Sequence, residues 1–349
     1  MKITEEKRLT LLTEGVNVAT LTGDFTRGRV SVCNGIFLQD PDDPETGVKI
    51  RVTKTSPYTL LETLEGYQIR DRDDGLVVSG LQVRTNQREQ KSSILKEQLS
   101  GVLATTLYGC ELVNLEQACG FCSSPVYASP RFTVEEFATE LLRLSEEMPV
   151  TAVTMNAGSI VTQRDKGYSQ MAPYVRAARN AGVIELNLEL MPNPEITGDA
   201  LIIFLQQMRN DGVTSAQFNM EIWDTQRAEE IMPYKGKIPR KTYLEWLGEG
   251  SKVFGRGKTS TVILLGLNTL DQIAEAAQAV INVGAVPSIE VFRPLPGTML
   301  AGYQPIYDTT QVVNVVRRIN EKIDAAFNNR AGLEGCMKCG GCALYAKKK

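Results

Sequence analysis

The sequence predicts an α/β protein: a parallel (β/α) TIM-type barrel, partial or full, with a small N-terminal β-rich appendage and a C-terminal cysteine-rich segment. Three observations lead there. From about residue 103, short apolar segments alternate with longer amphipathic ones in six βα units. Before that point, closely spaced glycines separate short alternating runs. Six of the seven cysteines fall into two groups of three, one after the first barrel strand and one near the last residue. The expected boundaries are 1–100 for the appendage, 101–330 for the barrel and 331–349 for the cysteine-rich segment.

In the appendage, Arg29–Val32, Lys49–Val52, Tyr67–Arg70, Leu76–Val78 and Leu81–Arg84 read as short antiparallel strands. Asp40-Pro-Asp-Asp-Pro44 and Arg72-Asp-Asp-Gly75 read as turns, and Ser92–Ser100 as a helix. The barrel strands are expected at Ala104–Tyr108, Thr151–Asn156, Val183–Leu190, Ser215–Ile222, Thr259–Leu265 and Ser288–Phe292. The helices are expected at Val134–Glu147, Gln170–Ala181, Asp199–Asp211, Arg240–Val253, Leu270–Val283 and Thr310–Ala326. Thr133 and Glu136 have capping-box spacing, and Gly182, Gly212 and Gly284 follow helices as C-cap candidates. Six such units suit a barrel better than a dinucleotide fold, and neither G-x-G-x-x-G after a first strand nor a P-loop is found.

Apolar residues are 42% of the 349 and charged residues 23%, enough for a sizeable core. The formal charge of −3 gives no reason to expect nucleic acid. No apolar run reaches a membrane span, and the N-terminus, rich in Lys and Glu, lacks a signal-peptide core, so a cytoplasmic protein is expected. There is no histidine. That excludes Ser-His-Asp and Cys-His catalysis and leaves any transition metal to cysteine sulfur or oxygen ligands.

Cys110, Cys119 and Cys122 follow the first strand with C-x8-C-x2-C spacing, on the barrel face where active sites sit. Three thiolates suit a four-iron cluster with one iron open to an outside ligand. A zinc site or buried thiols is the alternative, but a zinc ribbon wants two C-x2-C knuckles close together. Cys336, Cys339 and Cys342 have C-x2-C-x2-C spacing among glycines, suiting a second, auxiliary iron–sulfur cluster, with zinc or redox thiols as alternatives. Cys33 is either its fourth ligand or a buried apolar residue, in which case the fourth ligand is a non-cysteine group, solvent or substrate.

The first loop resembles that of the radical S-adenosylmethionine (SAM) superfamily, where an aromatic residue, here Phe121, precedes the last cysteine. The usual first gap is three, and here it is eight. Together with Ala104-Thr105-Thr106 and the cysteine-rich C-terminus, this resembles the biotin-synthase-related branch, including radical SAM proteins found beside nitrilase genes. The resemblance implies a 4Fe-4S cluster on Cys110, Cys119 and Cys122, with SAM on its open iron. It implies SAM contacts at Asn156, Gly158 and Ser159, and at Asn219 and Glu221, with Glu189 similar. It implies a carboxylate-binding arginine at Arg240 or Arg227, adenine packing at Gly266, and a substrate-facing Arg293.

The implied reaction is reductive cleavage of SAM to a 5′-deoxyadenosyl radical, then hydrogen abstraction from an unactivated carbon, with Glu221 and Arg293 as the catalytic candidates. Sulfur insertion of the biotin or lipoyl type is the leading specific expectation. Another radical step, with the second cluster binding substrate or passing electrons, is the alternative; a non-catalytic iron–sulfur carrier is the reading from a different class. Expected partners are a reductase such as ferredoxin or flavodoxin, a small-molecule or carrier-bound substrate, and a second radical SAM protein.

Overall fold

The computed structural model describes residues 3–18, 35–40, 43–73, 75–84, 92–122, 124–125, 132–295, 297–305, 307–328 and 333–344. The expected strand Arg29–Val32, Cys33, and the centre of the turn beginning at Asp40 lie outside these.

The chain opens with a helix that the sequence reading did not foresee, α1 (Glu5–Glu14), capped by the Thr4 hydroxyl, which accepts from the Lys7 amide. Strands β1 (Gly35–Asp40), β2 (Asp43–Arg51), β3 (Thr59–Thr63), β4 (Gly66–Arg70) and β5 (Leu76–Arg84) form an antiparallel sheet in the order β2-β1-β5-β4-β3. The two expected strands at 76–78 and 81–84 are one strand. Its Gly80 takes a positive φ of 71° within the part paired to β4, at the register shift between Val78 and Leu81, just before the residues paired to β1. Asp71 Oδ1 accepts from the Asp73 and Gly75 amides and closes the neighbouring turn.

Ser92–Ser100 is not a helix. The Ser92 hydroxyl accepts from the amides of Ile94 and Leu95, as a helix cap would, but no helix follows. Lys96–Glu97 (β6) instead covers the edge of the first barrel strand in antiparallel register.

Six parallel strands follow in sequential order: β7 (Val102–Thr106), β8 (Ala152–Asn156), β9 (Glu185–Glu189), β10 (Ser215–Gln217), β11 (Thr259–Leu265) and β12 (Val286–Val291). They make a curled, open half-barrel. Between them come α2 (Glu111–Asn114), α3 (Val134–Glu147), α4 (Tyr168–Asn180), α5 (Gly198–Asp211), α6 (Thr225–Ile231), α7 (Arg240–Phe254) and α8 (Leu270–Asn282). After β12 come α9 (Thr309–Ala326) and α10 (Gly335–Cys339). The capping box of α3 forms as expected.

One cluster of buried apolar residues joins the appendage to the barrel. Leu9, Leu12, Leu38, Ile50 and Val78 pack with Ile263, Ile289 and Val316. No helix among the described residues is long and apolar enough to cross a membrane.

Candidate active site

Side chains two apart on a strand share a face. On β9, Glu185 pairs with Lys338 at 3.0 Å, Asn187 lies against Gly335, and Glu189 meets Cys336. The inner face of β9 is therefore polar along its whole length, and α10 lies along it inside the half-barrel. Cys339 packs on Val102 and Ala152, the first residues of β7 and β8, so α10 plugs the strand N-terminal end. The Cys110 loop lies at the opposite, C-terminal end. The second group runs from Cys339 at the N-terminal end to Cys336 beside Glu189, the last residue of β9, and Cys342 beside Arg293; it forms the lower group bordering the lumen and the Cys110 loop the upper.

The upper group is held tightly. A Cβ on Gly158 would collide with the main chain of Gly109 and Cys110, so only glycine lets the two loops touch. The close approach expected at Gly158 is thus made by the cysteine loop itself. The Gly158 amide donates to Tyr108 O at 3.0 Å, and the Glu111 amide donates to Ser159 O at 3.0 Å. The Gly120 amide donates to Ile231 O at 2.7 Å. Phe121 packs near Ile231, Val262 and Phe292. Asn156 ends β8, and its carbonyl accepts from the Leu107 amide at 2.9 Å.

Burial raises the Cys110 thiol above its ordinary value and pushes Cys119 up to about 12, with Lys235 opposing the rise at Cys119. The thiols also repel one another as thiolates. Thiols raised in this way, as at Cys110 and Cys119, ionise readily only beside a cation, which is what an iron cluster supplies. The donor set therefore fits the cluster. Among the described residues no three Cys, Asp or Glu side chains converge as a single-ion site would require.

The wall between the groups carries strongly perturbed acids and a lysine. Glu221 pairs with Lys235 at 3.3 Å, and the two side chains keep 13% and 14% of their surface. Residual surface on groups this deep in the protein marks an internal hollow. Burial lowers the Lys235 pKa, but Glu221, Tyr243 and Cys119 more than reverse this and raise it. Glu221 adopts φ 66°, a left-handed conformation that costs a residue with a Cβ on the order of 1 kcal/mol.

That kink ends the expected strand 215–222 early, at Gln217; pairing resumes only as a bridge between Glu221 and Ile263. Asn219 fills the gap. Its Oδ1 accepts from the Val262 amide at 3.0 Å and from Gln217 Nε2 at 2.8 Å, and its Nδ2 donates to Glu189 at 3.3 Å. Glu189 is pushed up to about 7 by burial, Glu290 and Glu221, and burial raises Glu290 as well.

The arginines divide differently from expectation. Arg227 lies on the α6 surface, 3.7 Å from Glu230 and over the Tyr303 ring. Arg240 donates to the carbonyls of Ile222, Gly236 and Ile238, a clamp on the loop after β10 rather than a free fork. Its Nε is buried with no hydrogen-bond partner among the described residues. Lys235, between Pro233 and Pro239, is the cation of this loop that reaches Glu221 and acts on Cys119, and the sequence reading passed it over in favour of arginine. A lysine braced between two prolines after an acidic strand end was the available signal.

Gly266 ends β11 at φ 100°, its carbonyl accepting from the Tyr303 hydroxyl at 3.0 Å. A Cβ there would strike the Tyr307 hydroxyl, so Tyr303, Pro305 and Tyr307 of the following loop cover this face.

Arg293 and Glu290, three apart and so on opposite faces of a regular strand, act on one another because β12 ends at Val291 and strand alternation stops there. Arg293 donates to Lys49 O at 2.9 Å and lies 4.0 Å from Cys342 Sγ, while the main chain of Glu290 bridges Ala343. Arg293 thus serves the lower cysteine group. The 336–342 segment is pinned from several sides. Arg8 donates to Gly340 O and Ala343 O, the Lys49 amide to Gly341 O, and the Leu344 amide to Ile289 O. Glu334 is paired to Lys258 and accepts from the Thr214 hydroxyl.

No family model matches the chain. It is similar to the bacteriochlorophyllide c C-7(1)-hydroxylase of Chlorobaculum limnaeum, 23% identical over 215 residues, covering 54% of this chain and 52% of that one. The chain thus spans about half the length of the curated relative it matches. Among solved structures it is similar to HydG, a maturase of the FeFe-hydrogenase, at TM-score 0.48 and 15% identity, over 64% of this chain and 50% of that one. It is similar to the methylornithine synthase PylB at TM-score 0.48 and 15% identity, over 69% and 70%. The radical S-adenosylmethionine methyltransferase TsrM from Kitasatospora setae, with cobalamin and a 4Fe-4S cluster bound, matches at TM-score 0.40 and 12% identity, over 69% and 47%.

Proposed function

We infer that the chain is a radical SAM enzyme. One observation carries the reading: three coupled thiols on a single loop at the C-terminal end of the first parallel strand, seated on Gly158. Cys110, Cys119 and Cys122 are the residues that would hold a 4Fe-4S cluster, and Cys336, Cys339 and Cys342 a second iron–sulfur cluster at the lumen floor. When bound, the first cluster and SAM supply a 5′-deoxyadenosyl radical that takes hydrogen from an unactivated carbon.

The protein's own part is placement. The Asn156–Ser159 segment braces the cysteine loop. Lys235, rather than Arg240 or Arg227, is the cation available to a carboxylate in the lumen, and Glu221 holds its charge in place. The covering loop over Gly266 and the apolar wall around Phe292 keep bulk water from the upper end.

The substrate would lie between the two cysteine groups. Sulfur insertion is the reaction that this placement favours, because a sulfide-bearing cluster would face the substrate carbon. The hydroxylase name of the curated relative favours a second reading, in which the lower cluster binds substrate or relays electrons. Ferredoxin or flavodoxin is the kind of reductase the reaction needs.

Anaerobic reconstitution, reduction and assay for 5′-deoxyadenosine test the reading. Product from the parent protein and none from Cys119→Ala is the expected result. Intact iron with SAM bound but never cleaved would leave the carrier reading standing instead.

A further inference from the structure

This inference rests on the second cluster proposed above and assigns its missing ligand. Cys336, Cys339 and Cys342 supply three thiols, and iron–sulfur clusters of this kind normally take four protein ligands. The acidic side chain beside the segment is Glu189, which has no direct ion pair among the described residues, Lys235 acting on it only from a distance. Among the described residues, its carboxylate meets only the Asn219 amide at 3.3 Å and the Cys336 thiol at 3.6 Å. Neither is a cation. Lys235, the nearest ammonium, is bonded to Glu221. Glu290 adds a second carboxylate nearby. An enclosed carboxylate is normally paired or bound to a metal.

The geometry around it is already set. Gly335 lies so close to Asn187 that a Cβ would collide, which places Cys336 at the level of the Glu189 side chain. Asn187 Oδ1 and Thr154 Oγ1 are buried there, on paired positions of β9 and β8, with no hydrogen-bond partner among the described residues. Unsatisfied polar atoms beside three thiols mark a space made for a polar occupant. Arg8 and the Lys49 amide hold the carbonyls of residues 340, 341 and 343, so the segment cannot drift from the strand.

We propose that Glu189 is the fourth protein ligand of the second cluster, its carboxylate binding the iron that Cys336, Cys339 and Cys342 leave open. An oxygen ligand exchanges more readily than a thiolate. The iron it holds is therefore the one a substrate in the lumen would meet.

The test uses the full chain carrying Cys110→Ala, Cys119→Ala and Cys122→Ala, so that any cluster belongs to the lower group. It is reconstituted without oxygen, and iron is counted beside Mössbauer and EPR spectra. About four irons are expected in this background. Adding Glu189→Ala should lower the count to about three, with a three-iron EPR signal after oxidation. Glu189→Gln, of equal size, should keep the fold by circular dichroism and shift the Mössbauer lines of one iron only. Glu189→Cys should restore the full count with all-thiolate parameters.

Unchanged count and spectra in both Glu189→Ala and Glu189→Gln would overturn the assignment while leaving the second cluster intact. So would a three-iron form produced by Cys33→Ser, which would make Cys33 the ligand. A background variant that takes up no iron would overturn the second cluster itself, and the assignment with it.

Discussion

Arg8 Nη1 lies 2.8 Å from the main-chain oxygen of Ala343, across 335 residues of sequence, and the same guanidinium reaches the Gly340 carbonyl. A helix of the appendage thus holds the loop of the lower cysteines. Charge-assisted hydrogen bonds of this kind contribute about 1.5–3 kcal/mol. Arg8→Ala is expected to lower unfolding free energy by about 2–4 kcal/mol and to strip iron from the lower group alone. Iron counts with and without the upper cysteines separate the two effects.

Gly158 carries the corresponding role at the upper end. Gly158→Ala forces a methyl into the Cys110 main chain. Overpacking of this kind costs about 1–3 kcal/mol. The expected outcome is loss of iron from Cys110, Cys119 and Cys122 with the lower group unaffected. Gly302→Ala, where φ is not positive and a Cβ meets nothing within 4 Å, is the control for replacing a glycine without the clash.

The Glu221–Lys235 pair gives a coupling test. Removing one partner of an enclosed ion pair costs about 3–5 kcal/mol, because the other is left uncompensated. Lys235→Met and Glu221→Gln are each expected to destabilise the protein, the double variant less than the sum. SAM affinity should fall in both single variants and stay low in the double. A double variant with strictly additive loss would show that the two side chains act separately.

The metal-free protein should lose stability as pH rises. Glu189 has its pKa raised from 4.5 to about 7, so the folded state binds the proton more tightly than the unfolded state. Its contribution is complete below about pH 4.5 and is lost as pH climbs through about 7. Glu290 shifts in the same direction, and Glu221, Lys235 and Cys336 are the other charged or titratable groups facing the carboxylate. Urea unfolding at about pH 5 and about pH 8 is expected to differ by up to roughly 3 kcal/mol, with the slope reduced in Glu189→Gln. Equal slopes in the two proteins would place the pH dependence elsewhere.

The barrel was legible because each unit repeats one local pattern. Strand Thr259–Leu265 and helix Val134–Glu147 form at the expected bounds, both fixed by local pattern and capping. The cysteine groups were legible as spacing. Ser92–Ser100 was misread because an exposed sheet edge claims the segment for β7. The strand at Ser215 was read too long because the kink at Glu221 depends on pairing with Val262 and Leu264, residues more than forty positions later.

The sequence by itself determined which chemistry is on offer: no imidazole, two sets of three thiols, and a parallel α/β frame with acids at its strand ends. Those follow from residue type and from periods of two and 3.6, which are local. Only the tertiary structure decided which groups meet. It brought Cys336 beside Glu189, chose Lys235 over two arginines as the cation that reaches Glu221, and spent Arg8 and Arg293 on the lower cysteine loop. The physical reason is enclosure. A charge within the curled sheet must find a partner there, and the partner that reaches it depends on where distant strands end, which no local pattern encodes.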